Sequence, residues 1–203
     1  TGQVAAGAVG AGASFVKMIS NLTVQSYVGN NVAVGLGGSF VVNDLDIDAG
    51  SQINVNVNTT GISAGIGAST LNFAYAEINP TVEALIGNNS QVIANDTVTI
   101  DADFDTDSSA QGTGVSAGGL AIGAMIADMS LGRGNSVYEV VAGIGSGTII
   151  KADTLRMNAD SRDDIFASSV ACGGAVIAVT GAVTNMSNDN AVLVRIDDNT
   201  IIE

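Results

Sequence analysis

The stretch TVTIDADFDTD (97–107) alternates between a polar and an apolar residue as far as Phe104. In an extended chain, Val98, Ile100 and Ala102 share one face with Phe104, and the threonine and aspartate residues between them share the other. This period-two alternation predicts a half-buried β-strand whose apolar face lies in the core.

The same strand pattern occurs three times, as LDIDA from residue 45, VTIDA from residue 98 and LRMNA from residue 155. The copies are therefore 53 and 57 residues apart. A strand that recurs at a nearly constant interval predicts that successive copies lie side by side and share one core. The expected inward ladders are Leu45, Val98 and Leu155; Ile47, Ile100 and Met157; and Ala49, Ala102 and Ala159.

A second motif marks the end of another strand in each repeat. It reads SYVGNN (26–31), ALIGNN (84–89), AGIGSG (142–147) and VRIDDN (194–199), with spacings of 58, 58 and 52 residues. Gly, Asn and Asp at its end are typical of a turn. Further polar turns are predicted at 20–21, 79–80, 132–135 and 187–190.

Segments rich in Gly and Ala separate these motifs, at 4–16, 62–76, 115–129 and 175–186. Their dense glycine and missing caps exclude helices. As strands they would be small or apolar on both faces, which is typical of strands covered on both sides. The outer cover would be either another wall of the same domain or a neighbouring subunit, so lateral contact through these strands is one expectation.

Together these patterns predict an all-β fold with essentially no helix. We expect a repeat β-solenoid, similar to a parallel β-helix, built from units of about 55 residues. The alternative, a pair of β-sandwich domains, would not repeat its strands in the same order. We expect one elongated segment over 1–203, an excerpt of a longer chain, with about three and a half units at 3–61, 62–114, 115–174 and 175–203.

The combination of the TVTIDAD strand (97–103), the Gly/Ala strands, TVEALIGNNSQVIAND (81–96) and a further DTL strand (153–155) resembles the repeats of giant bacterial surface proteins. These are the filamentous-haemagglutinin-like and autotransporter-like adhesins. The resemblance extends over the whole chain and lies in the pattern of strands and turns. It implies an elongated β-solenoid shaft outside the cell, at the bacterial surface, that serves in adhesion, biofilm or fibre architecture.

Charge and composition argue against several classes of function. The net charge is −14, and the six basic residues are scattered, which disfavours nucleic acid and anionic membranes as partners. The apolar run 115–131 is rich in glycine and contains Asp128, so we expect no membrane span. The chain has no His, its basic residues are isolated and aromatic sugar platforms are absent, so we expect no catalytic residues and no enzymatic activity. Cys172 lies among small apolar residues and is expected to be buried.

The outward aspartates are the candidate site, and two interpretations of them stay open. In the first, they form a solvated wall that keeps the sheet from associating edge to edge. In the second, stacking places Asp103 beside Asp160 and Asp107 beside Asp164, and Ca²⁺ bridges the copies, because this ion accepts carboxylates in flexible geometry. The candidate ligands are Asp101, Asp103, Asp105, Asp107, Asp160 and Asp164. No other cofactor is expected.

Three functions are compatible with these predictions. The first is a non-catalytic shaft of an extracellular bacterial fibre or adhesin, with an unknown surface ligand. The second is a filament subunit that polymerises end to end through open strand edges. The third is a carbohydrate-binding or carbohydrate-active β-helix, which would need a patch of aromatic or unrepeated side chains. The three tyrosines, Tyr27, Tyr75 and Tyr138, are far apart in the sequence.

Overall fold

The computed structural model describes residues 2–36, 42–133 and 137–203, and in these ranges the chain forms β-strands and no helix. The prediction of an all-β protein is confirmed. The strands are β1 (Gly2–Ala6), β2 (Val9–Val28), β3 (Ala33–Val34), β4 (Leu45–Ile53), β5 (Asn56–Ile86), β6 (Gln91–Ile93), β7 (Thr97–Leu131), β8 (Tyr138–Ile144), β9 (Ile149–Lys151), β10 (Thr154–Asn188), β11 (Asn190–Ile196) and β12 (Ile201–Ile202).

These strands form four layers along the chain. Layer 1 contains β1 to β3, layer 2 β4 to β6, layer 3 β7 to β9 and layer 4 β10 to β12. Every pairing between named strands is parallel and joins neighbouring layers, in one eight-stranded and one four-stranded sheet. Parallel pairing follows because each layer repeats the strand order of the last one in the same direction.

The three predicted inward ladders are confirmed. Leu45 pairs with Val98 in β7, which pairs with Leu155 in β10, and the Ile47 and Ala49 ladders follow two and four residues on. Val98, Ile100 and Ala102 in the middle layer are each fully buried. The alternating pattern therefore predicted both the strand and its inward face.

The change in repeat spacing comes from extra residues in layer 3. Ile78 pairs with Leu131, 53 residues further on, whereas Thr81 pairs with Glu139, 58 residues further on. Layer 3 thus has five more residues than layer 2 at this point. Pro80 falls where the pairing of β5 with layer 3 is interrupted, a position that a residue without an N–H tolerates.

The minor turns were only partly predicted. The expected turns at 20–21 and 79–80 are wrong, because β2 and β5 run through them. At 187–190, β10 and β11 are separated by Asp189 alone. Of the turn expected at 132–135, residues 134–135 lie outside the described residues, and Gly132 has the positive φ (67°) of a turn residue.

The Gly/Asn turns were predicted correctly and form a repeated corner. Asn31, Asn89, Asn199 and Gly147 occupy equivalent positions, and all have φ between 53° and 68°. Side chains of one layer bond to the backbone of the next. The N–H of Asn88 donates to Asn30 Oδ1 at 2.7 Å, and the N–H of Ser146 donates to Asn88 Oδ1 at 2.8 Å. Corner amides thus satisfy backbone groups between layers.

Replacing Asn89 by Val should destabilise the protein by about 1–2 kcal/mol, because a β-branched residue is strained at positive φ. Asn89→Gly is the matched control and should change stability little, since Gly147 already occupies the equivalent position in layer 3. Urea unfolding followed by circular dichroism measures both variants. Equal midpoints for Val and Gly would contradict the corner conformation.

The Gly/Ala segments fold back on themselves. Ser116 Oγ donates to the Ile122 carbonyl at 3.2 Å, and Ser169 and Thr184 of layer 4 lie 2.7 Å apart. With the residues that precede them, these segments therefore form two limbs packed face to face, 2–15, 56–73, 109–126 and 166–183, which we call the arm. In each layer the first limb ends and the second begins near residues 7–8, 65–67, 118–120 and 174–177, where glycine is frequent.

The inside of the arm is lined mainly by small and polar residues, with Met125 as a large buried exception. Ser63, Thr70 and Ser116 are buried, and the hydroxyl of Ser116 is hydrogen-bonded to both others, at 3.4 Å to Ser63 and 2.8 Å to Thr70. The outer faces carry larger apolar side chains that no other described residues cover, such as Ile122 (48% exposed). Another wall of the same domain therefore does not cover the outer face, and cover by a neighbouring subunit stays a prediction.

Candidate functional site

The aspartates of β7 form a straight acidic stripe on the outside of the sheet. Asp101, Asp103, Asp105 and Asp107 alternate with buried residues, so their side chains all point outward. We call this row and its neighbours in β4 and β10 the acidic stripe. Asp103 pairs with Asp160, Asp105 with Arg162, and Asp107 with Asp164. Asp101 also pairs with Asp48 on its other side. The stacking expected from the repeat spacing is present.

Neutral and cationic neighbours relieve much of the repulsion along the acidic stripe. Asn158 Nδ2 donates to Asp101 Oδ1 at 3.0 Å, and Gln52 Nε2 donates to Asp105 Oδ2 at 3.4 Å. Arg162 forms an ion pair of 3.4 Å with Asp160 in its own strand. Exposed pairs of this kind contribute little to stability, about 0–1 kcal/mol each. These contacts fit a hydrated wall.

Asp103 is an unfavourably placed carboxylate of the acidic stripe. Partial burial raises its pKa, and the charges of Asp101, Asp160 and Asp48 raise it further, while Arg162 opposes them. A shallow cleft of about 120 Å³ lies at this point, between Asp103, Asp160 and the side chains around them. This is the position in the acidic stripe where a bound cation would help most.

The stripe offers pairs of carboxylates. No group of three or more metal-ligating side chains close enough to hold an ion occurs within 2–36, 42–133 and 137–203. A bridging Ca²⁺ would therefore depend on carboxylate pairs, with water or carbonyl oxygens supplying the other ligands. Calcium binding stays a prediction.

Asp103→Asn should raise stability at pH 7 by less than about 1 kcal/mol, because the side chain is exposed enough for solvent to screen it. With the folded pKa raised above its ordinary 3.8, the protonated form is favoured. The stability that protonated Asp103 contributes to the unsubstituted protein is fully present below pH 3.8 and is lost as pH rises through the folded pKa. The gain should disappear near pH 3, as measured by urea unfolding.

Asp105→Asn is the matched control for this substitution. Asp105 lies beside Arg162 in β10 and accepts from Gln52, so removing its charge should bring no gain. A destabilised Asp103→Asn variant at pH 7 in metal-free buffer would contradict the repulsion inferred at this position.

A second polar cluster was not predicted from the sequence. The hydroxyl of Tyr138 donates to Asp163 Oδ2 at 2.5 Å, and Asn188 and Asn190 donate to the same oxygen at 2.9 and 3.2 Å. Ser161 donates to Asp163 Oδ1 at 2.8 Å. Burial, reinforced by the bond to Asp163, raises the pKa of Tyr138 to about 12. The cluster is fully hydrogen-bonded, which is typical of a structural network.

The signal for this cluster lay in the broken ladders of layer 4. Ser161 pairs with Phe104, and Asn188 pairs with Leu131, so polar residues take inward positions that are apolar in layer 3. Asp163 takes the inward position of Thr106, which is already polar in layer 3. The mismatch between Phe104 and Ser161 was visible in the sequence. The residues that bond to Ser161 and Asp163 lie on other segments of the chain, so the sequence did not identify them.

A third group surrounds Tyr75 on the outside of β5. Lys17 lies 5.0 Å from the centre of its ring, and the Arg133 guanidinium, from the extra residues of layer 3, lies 5.5 Å away. Arg133 donates to the Tyr75 hydroxyl at 3.0 Å and pairs with Asp128 at 3.4 Å. Tyr75 also donates to Glu77, which lowers the pKa of that carboxyl. The two cations therefore contact the ring of Tyr75, and its hydroxyl and the nearby carboxylates are hydrogen-bonded or ion-paired.

The aromatic residues are less dispersed than the three tyrosines suggested. Phe15 and Phe73 contact each other on the side of the sheet that carries Tyr75, with ring centres 6.0 Å apart. Phe15 is 66% exposed. Their positions reflect pairing of β2 with β5, where residues 58 apart become neighbours.

Cys172 is exposed, so its expected burial is wrong. It pairs with Val115 on the outer face of the first limb of the arm. Among the described residues no helix is long and apolar enough to cross a membrane.

The chain was also compared with known proteins. No family model, no curated protein and no solved structure matches it.

Proposed function

We propose that this chain is a segment of a β-solenoid shaft in an extracellular bacterial fibre or adhesin, and that it is not catalytic. One observation carries the proposal: within the described residues, each pairing between strands joins positions one repeat apart, in parallel, across all four layers. A chain that coils in this way extends by one strand spacing, about 4.8 Å, per layer. Each added layer therefore makes the molecule longer.

Stiffness would come from hydrogen bonds that run along the axis. Each inner layer pairs with a neighbour on both sides, and the corner amides of Asn30 and Asn88 add bonds in the same direction. The apolar core is continuous between layers, so no layer has to fold alone. The acidic stripe faces water and would keep such a fibre soluble.

Fibre diffraction or electron microscopy of the native material tests this proposal. A meridional repeat of about 4.8 Å along an elongated particle is the expected result. Compact particles without that repeat would overturn it. The location outside the cell rests on the resemblance of the repeats to surface adhesins, and detection of the protein at the surface of intact cells would test it.

End-to-end assembly is the second candidate, and the outermost layer favours it. Val194, Ile196 and Ile201 of layer 4 are 48–53% exposed, whereas Ile144, the layer 3 partner of Ile196, is 1% exposed. An open strand edge beside unburied core residues is a strong pairing site. The next layer could belong to the same chain or to another copy. Joints that recur once per chain along a filament would identify assembled copies.

We propose further that Ca²⁺ binds between layers at Asp103 and Asp160, with Asp107 and Asp164 as a weaker pair. At a hundredfold excess over Kd, Ca²⁺ should increase the free energy of unfolding by about 2–3 kcal/mol. Millimolar Ca²⁺ should therefore raise the thermal unfolding midpoint. Asp160→Asn should remove this gain, and Asp46→Asn, elsewhere on the sheet surface, should retain it. An unchanged midpoint with Ca²⁺ and with chelator would exclude calcium.

A further inference from the structure

One surface of the arm is apolar and exposed, and a role as a shaft does not account for this exposure. It is the outer side of the second limbs, residues 9–15, 67–73, 120–126 and 177–183, which we call the apolar face. Eight large apolar side chains on it are 41–80% exposed, among them Val9, Leu71, Ile122 and Val179. Soluble proteins seldom leave such a contiguous patch uncovered unless it is an interface.

In the middle layers the exposure is not a consequence of open layer edges. Leu71 and Ile122 belong to the middle layers and have a paired neighbour on each side, yet they are 41% and 48% exposed. Adding layers above or below would extend the apolar face without covering it. Its cover must approach from the side, perpendicular to the sheet.

We propose that the apolar face binds the same face of a second copy of this chain, so that two shafts lie side by side. The exposed area of its eight large side chains is roughly 800 Å², which is about what each partner contributes to a stable interface. Five of the eight belong to the outermost layers 1 and 4, where the open layer edge contributes part of the exposure. Two flat sheets can pack face to face at about 10 Å, the ordinary spacing of stacked sheets. The same patch on both copies gives a closed, twofold contact.

Charge also favours a second copy. The chain carries −14, yet neither the apolar face nor the rest of the arm (2–15, 56–73, 109–126 and 166–183) contains a charged residue. Two copies would repel each other through the acidic stripe but not through the arm. The arm is thus the surface where like-charged chains can approach.

The shape of the apolar face is compatible with self-pairing. A groove of about 150 Å³ lies over Gly67 and Ser69, between Val9 on one side and Leu120 and Ile122 on the other. Its volume can accommodate one aliphatic side chain. Leu71 projects from the same limb two residues beyond Ser69. A twofold contact can therefore place a projecting side chain of each copy against the groove of the other.

Sedimentation equilibrium of the whole chain tests the pairing. We expect a dimer of twice the 20.1 kDa chain mass that does not grow further. Ile122→Glu should weaken the dimer roughly 100-fold, because it places an unpaired carboxylate in the contact. Ser69→Arg, which fills the groove without removing an apolar side chain, should do the same. Circular dichroism checks that both variants fold.

Val115→Glu is the matched control. Val115 is 38% exposed on the opposite side of the same arm, so its substitution should leave the dimer intact. A monomer at all concentrations, or a dimer that both face variants retain, overturns the proposal. So does an open-ended series of masses, which indicates end-to-end stacking, or binding of the monomer to phosphatidylcholine vesicles, which indicates a lipid surface.

The proposed pairing rests on the proposed function, because the objects that it joins are the proposed shafts. The two can fail separately, because the mass of the isolated chain tests the pairing and the axial repeat tests the shaft.

Discussion

Ile100→Asp is expected to unfold the protein or leave it marginally folded. Ile100 is fully buried between Ile47 and Met157 in the central ladder. The substitution loses about 2–3 kcal/mol of apolar burial, and placing an unpaired carboxylate there costs several kcal/mol more. Single domains are typically stable by only about 5–15 kcal/mol, so most of the stability would be lost. The measurement is urea unfolding followed by circular dichroism.

Thr99→Asp is the matched control for this variant. Thr99 is the preceding residue of β7 and faces outward between Asp46 and Arg156, so a carboxylate there stays hydrated beside one charge of each sign. We expect a change within about 0.5 kcal/mol. If Ile100→Asp unfolded at the same urea concentration as Thr99→Asp, the assignment of the inward face would be wrong.

Gly132→Val should lower stability by about 3 kcal/mol or more, since backbone strain and a steric clash add. Gly132 has φ of 67°, where a β-branched residue is strained. A Cβ at this position would also lie 2.1 Å from the carbonyl oxygen of Asp189, a backbone atom that cannot move without disturbing the turn into β11. The N–H of Gly132 donates to Ile78 at 2.9 Å, which ties the position to layer 2 as well.

The control is Gly50→Val in β4. A Cβ at Gly50 meets no atom within 4 Å, and the residue lies in a strand, where Val is favoured. This variant should be as stable as the unsubstituted protein or slightly more so. Thermal and urea midpoints of the two variants separate the outcomes, and similar losses for both would contradict the turn geometry.

Much of the fold was predictable because it repeats. Alternation alone indicated that Val98 and Ile100 face inward, and the spacing of the copies at 45 and 155 predicted which residues pair with them. Asn89 and its equivalents were recognised as turn residues because a Gly/Asn corner occurs in every layer. Such signals are local, and repetition strengthens each of them.

The candidate site was predicted in part. The register that places Asp103 beside Asp160 followed from the repeat interval and is present. The amide donors to the acidic stripe, such as Asn158, and the cluster around Asp163 were missed. Their positions depend on which side chain of the next layer reaches across, and alternation along one strand does not contain that information.

The amino-acid pattern alone predicted an all-β chain of parallel, stacked repeats with an apolar inside and an acidic outside. It did so because strand periodicity and repeat spacing are properties of the chain alone. Only the tertiary structure decided that each Gly/Ala segment folds into a two-limbed arm with its apolar side outward. Small residues suit both faces of a strand, so their pattern does not say which face meets the other limb. Contact between segments decides that, and it leaves residues such as Ile122 in solvent.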